Sequence, residues 1–120
     1  MGTYASVRGW LQIAFEQRTA AENIIGRHRH PLYSGGWAFP SAPFNWTVYL
    51  FYGGDIQQHE LPWLHAQITE MAAMPPIDDD GDRPTGLFLV TDEHGRADTW
   101  QIRNGVLNER PAPVLSWLDE

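Results

Sequence analysis

Asn104-Gly105 joins two runs of strand character, Thr99-Trp100-Gln101-Ile102-Arg103 before it and Val106-Leu107 after it. Both central residues of a type I′ turn need positive φ. Asparagine followed by glycine meets that need at low steric cost, so the pair predicts a two-residue hairpin. The run before it alternates polar and apolar residues, as a half-buried strand does. Upstream, Gly86-Leu87-Phe88-Leu89-Val90 is a continuous apolar run of strand length, as in a buried strand, and Glu93-His94-Gly95-Arg96 supplies the turn between. Residues 86–107 thus predict three consecutive strands joined by tight turns. A Pro-broken tail follows and ends in the apolar Leu115-Ser116-Trp117-Leu118.

The N-terminal half adds strands and helices in alternation. Tyr4 to Phe15 reads as a strand, with Val7, Leu11, Ile13 and Phe15 on one face and Arg8, Trp10, Gln12 and Ala14 on the other. Thr19 predicts the N-cap of a short helix running to about His28, with Glu22 completing a capping box. Ala21, Ile24, Ile25 and His28 share one stripe of it. From His30 to Asn45 the chain is irregular, with Pro31, Gly35, Gly36, Pro40 and Pro43 among Tyr33, Trp37, Phe39 and Phe44. So aromatic a loop predicts packing against something. Trp46 to Tyr52 predicts a second strand, apolar on both faces and ended by Gly53-Gly54-Asp55. Leu61 to Met74 carries the clearest helical stripe, Leu61, Leu64, Ile68 and Met71, with Pro62 in the first turn and Pro75-Pro76 as the stop.

The order β-α-loop-β-α-β-β-β predicts an α+β fold. Its economical form is a mixed, largely antiparallel sheet of about five strands with two helices packed on one face. Trp10 then projects to the second face, which either the aromatic loop covers or a partner does.

Length and charge narrow the function classes. A chain of 120 residues predicts one domain with a core of its own. It has no cysteine, so neither a disulfide framework nor a cysteine metal site is available, as suits a reducing compartment. The first residues lack the charged and apolar regions of a secretory signal, and no run reaches the length of a membrane span. Met1 to Ser6 fits the loose myristoylation pattern without a polybasic second anchor. A cytoplasmic protein is expected. All eight basic residues are arginine, set against fifteen acids, for a net charge of −7. Such a balance disfavours direct nucleic-acid binding and suits a basic protein partner, whose opposite field speeds encounter.

Motifs for chemistry are weak. His28-Arg29-His30 and the pair His59 and His65 lack the i, i+4 spacing of a helical metal pair, and His28 falls where a helix C-terminus favours a cation. Asp78, Asp80 and Asp82 form a DxDxD run, but the sixth and twelfth positions of a calcium loop begun at Asp78 hold Arg83 and Leu89. Asp92-Glu93-His94 lies at a turn, where acids serve conformation, and no GxSxG or phosphate-loop pattern occurs. No enzyme, metal or cofactor is expected.

Gly9-Trp10 in the first strand, Gly86 to Glu93 with its Asp-Glu end, the hairpin, and the stretch Leu107 to Ser116 resemble immunity protein family seven of bacterial polymorphic toxin systems. Residues 30–45 have no counterpart in that likeness. Thr85-Gly86 stands where the family often has Tyr-Gly, and Arg110-Pro111-Ala112-Pro113 replaces an Asp. The resemblance implies a cytoplasmic α+β protein without catalysis or cofactor, which binds and neutralises a cognate toxin, commonly a nuclease. Together with the charge it nominates Trp10, Asp55, Asp78, Asp79, Asp80, Asp82, Asp92 and Glu93 as contact groups. Two other classes stand beside it. The aromatic loop 30–46 could line a small-molecule pocket, or the Trp10 face could join copies into a homodimer or larger structural oligomer.

Overall fold

A computed structural model of the chain describes residues 3–40, 47–77 and 81–119. Six strands, Tyr4–Ala14 (β1), Trp37–Ala38 (β2), Thr47–Gln57 (β3), Thr85–Asp92 (β4), Ala97–Arg103 (β5) and Val106–Pro111 (β6), form a sheet in the order β2-β3-β1-β4-β5-β6. Each neighbouring pair is antiparallel, so the expected mixed sheet is antiparallel throughout these pairings. The α+β class is as predicted, with helices Arg18–Arg27 (α1) and Leu61–Ala72 (α2) on one face. The sixth strand, β2, is two residues long, too short for alternation to reveal it.

Alternation sets the core. Val7, Leu11 and Ile13 of β1, Val48, Leu50, Tyr52 and Ile56 of β3, Phe88 and Val90 of β4, and Trp100 and Ile102 of β5 are buried beneath the helices. From above, Ala21, Ile24 and Ile25 of α1 meet Leu64, Ile68 and Met71 of α2. The buried amide of Gln67 joins three elements: its Oε1 accepts from Trp37 Nε1 at 2.8 Å, and its Nε2 donates to the carbonyls of Ile24 and Ile25 at 3.5 and 3.4 Å. A buried amide left without partners would cost about 1–3 kcal/mol, so this set specifies how α1, α2 and β2 meet.

Three local expectations change. Thr19 is not an N-cap. The buried Gln17 accepts the Ala14 N–H at 2.9 Å and donates to the Pro75 carbonyl at 2.9 Å, which tightens Phe15–Gln17 into a single 3-10 turn and starts α1 one residue before Thr19. Glu22 pairs instead with Arg18 at 3.3 Å. Phe15 leaves the alternation with that turn and is exposed. Gly53-Gly54 does not end the second strand. The two glycines pair with Arg8 and Val7 of β1, whose ladder carries β3 on to Gln57.

The meander forms as predicted. Asn104 and Gly105 take φ of 54° and 82°, and β6 returns antiparallel to β5. Beyond it, Pro113–Asp119 winds as a 3-10 segment against β4 and β5. It lies over the sheet face opposite the helices, where Thr91, Ala97 and Thr99 are buried. Among the described residues, no helix is long and apolar enough to cross a membrane.

Candidate functional site

The face opposite the helices divides in two. Over β4 and β5 it is covered by the chain's own C-terminal segment. Over β1 and β3 no described residue closes it off, and its middle is aromatic. Trp10 lies directly across from Phe51 on one side and from Leu87 on the other. Tyr49 stacks near Phe51, with ring centroids 6.3 Å apart. Trp10, Tyr49 and Phe51 keep 40%, 41% and 49% of their surface exposed, values high for rings of this size on a sheet face. Arg8 marks the seam, donating from Nη2 to the Leu118 carbonyl at 3.4 Å.

One end of the open half is acidic. Asp55 sits across from Ser6 and accepts its hydroxyl at 2.6 Å. Glu93 reaches back from the β4–β5 turn to accept the Tyr4 N–H at 3.2 Å. Asp55, Glu93, Ser6 and the exposed Tyr4 line one shallow recess. Three of the nominated contact groups, Trp10, Asp55 and Glu93, thus share this half-face.

The others lie elsewhere. Asp92 alternates to the helix side, where Oδ1 accepts the N–H groups of His94 and Arg96 at 2.8 and 3.0 Å and Oδ2 accepts Gln58 Nε2 at 3.4 Å. It serves the turn. Asp82 lies beside Arg83 and Thr85, at the opposite end of β4 from Asp92. Asp78, Asp79 and Asp80 fall outside the described residues. Tyr49 and Phe51 are contact candidates that only the structure singles out. A signal for them existed: positions 49 and 51 alternate with the buried 48, 50 and 52, but only the register with β1 fixes which set faces out.

The described part of the aromatic loop packs on the helix side and leaves Trp10 uncovered. Trp37 meets Tyr52 and Phe88 edge-on, and Tyr33 and Phe39 lie against the core. Phe44 and Trp46 fall outside the described residues. Tyr52 Oη donates to the Tyr33 carbonyl at 2.7 Å, and burial, with Tyr33 beside it, pushes the Tyr52 phenol up to about 12. His30 stacks on Tyr33 with centroids 4.6 Å apart.

A second concavity of about 450 Å³ opens on the helix side, between α2 and strands β4 to β6. Val90 and Trp100 form its floor, Leu61 and Pro62 one wall. Its rim carboxylates are already engaged, Asp98 with Arg96 at 2.9 Å and Glu109 with His65 at 3.0 Å. Histidine–glutamate contacts recur on this side, with His28 near Glu70 at 3.3 Å and His30 near Glu60 at 3.5 Å. Among the described residues, no group of three histidine, aspartate or glutamate side chains is placed to hold a metal ion.

Comparison with protein-family models, with curated proteins and with solved structures finds no match.

Proposed function

We propose that this chain is an immunity protein that binds a cognate polymorphic toxin in the cytoplasm and blocks it, acting by association and without catalysis. One observation carries the reading. The segments that resemble immunity family seven occupy four successive strands of the sheet: Gly9-Trp10 on β1, Gly86 to Glu93 on and just beyond β4, the hairpin from β5, and Leu107 to Ser116 along β6 and into the tail. Gly9 has a physical reason to be glycine there, since a Cβ would come within 2.6 Å of the Phe88 Cα across the ladder. Trp10, next along, is thereby held at an exposed position on the open face.

The charge supports the same reading. A chain of net −7 repels nucleic acid and attracts a basic protein. Toxins that cut nucleic acid carry basic clefts for their substrate, and an acidic inhibitor competes for them by the same field.

Co-expression with the toxin encoded beside this gene is expected to restore growth of the host, and the two proteins to elute together on size exclusion. Lack of rescue, with separate elution, refutes the proposal.

A further inference from the structure

We propose that the β1–β3 half of the outer sheet face is the surface that meets the toxin, and that it takes an apolar spot on a protein bordered by lysine or arginine. The inference rests on the immunity reading and names the surface that reading leaves open.

The contrast within one sheet face carries the argument. Where the C-terminal segment crosses β4 and β5, Thr91, Ala97 and Thr99 of the outer face are buried. Across the Arg8 seam the same sheet presents Trp10, Phe51 and Tyr49 to solvent, close enough to form one contiguous aromatic surface. Rings of this kind dominate binding energy at interface centres because they bury a large area with little loss of rotamer freedom.

Charge selects the occupant. Asp55 and Glu93 lie on the same half-face at the Tyr4 end, one outward pair (Arg8 with Gly53) beyond the aromatic strip, and the whole chain carries −7. A second copy would bring the same acids and the same net charge to the contact, which repels. A basic partner gains from both. Asp92 and the helix-side cleft are engaged internally, whereas the rings of the outer half-face are free to bury area on binding.

The test uses the full chain and the toxin domain encoded beside it. Hydrogen exchange on the complex is expected to protect residues 4–14 and 47–57. Trp10→Ala and Phe51→Ala are each expected to weaken binding roughly 30-fold or more. Asp55→Asn and Glu93→Gln should mainly slow association several-fold at low salt. His65→Ala and Asp98→Asn, in the helix-side cleft, should bind as the parent does. A stable complex protected at α2 and β6, and indifferent to Trp10→Ala and Phe51→Ala, overturns the surface while the immunity reading stands. Self-association of the chain alone that Trp10→Ala abolishes overturns it too, by assigning the face to a second copy. Absence of any complex with the parent chain removes the immunity reading and this surface with it.

Discussion

Gly9 lies where two strands approach too closely for a side chain. An ideal Cβ there would sit 2.6 Å from Phe88 Cα and 2.7 Å from its ring, contacts that only movement of β4 could relieve. Gly53, across from Arg8 on β3, has nothing within 4 Å of the same imagined atom. The two glycines are equally permissive residues with opposite reasons for being there. Gly9→Ala is expected to cost about 1–3 kcal/mol, the range for forcing an extra carbon into a packed site, while Gly53→Ala stays within about 1 kcal/mol of the parent. Urea unfolding of both variants decides it. Equal midpoints would mean that β4 yields freely and that Gly9 is not a packing glycine. The consequence reaches the candidate site, because the ladder that Gly9 permits is the one that seats Trp10 between Phe51 and Leu87.

Elements differ in how far their own residues dictate them. The C-terminal segment Pro113–Asp119 is held by its half-buried Leu115 and Leu118 and by the Leu118 carbonyl that Arg8 reaches, while Val114 and Trp117 point outward. Replacing both leucines, Leu115→Ser with Leu118→Ser, is expected to lose roughly 2 kcal/mol, since each contributes only part of a full leucine burial. It should also raise binding of an apolar dye as the outer face of β4 and β5 is uncovered. An unchanged urea midpoint with no added dye binding would show that the segment merely rests there. The hairpin before it was legible because Asn104-Gly105 demands positive φ whatever surrounds it. Helix α2 was legible for a similar reason, its stripe and its Pro62 start being local. The span of β3 beyond Gly53-Gly54 was not, since glycine weakens a strand locally and only pairing with the long β1 carries it through. The start of α1 was missed for the same cause, as Gln17 is fixed by Pro75, far along the chain.

At the scale of the whole molecule the candidate site is a product of register. Trp10 could be placed opposite the core from β1 alone. That Phe51, Asp55 and Glu93 join it, and that Asp92 does not, depends on pairings between residues tens of positions apart. The aromatic loop shows the same limit: its composition predicts that it packs, but only the fold decides that Tyr33, Trp37 and Phe39 go to the helix side. Tyr52 ties that loop to β3, and its titration gives a global readout of the tie. Its phenol, raised to about 12 by burial and by Tyr33, stays protonated in the folded chain at a pH where the unfolded chain, near 10, has lost the proton. The contribution is therefore complete below pH 10 and is lost as pH climbs from 10 through 12. The growing negative charge of the chain also lowers stability over that range, but it acts on parent and variant alike, so a difference isolates the phenol. Below pH 10, Tyr52→Phe is expected to be less stable by about 1 kcal/mol, the worth of a neutral hydrogen bond such as the one to the Tyr33 carbonyl. Between pH 10 and 12 the two unfolding midpoints should converge and then cross, as the parent alone gains a reason to release its proton by unfolding. Curves that stay parallel across that window would show that Tyr52 ionises as freely in the folded chain as in the unfolded one, and that the loop is not sealed over β3.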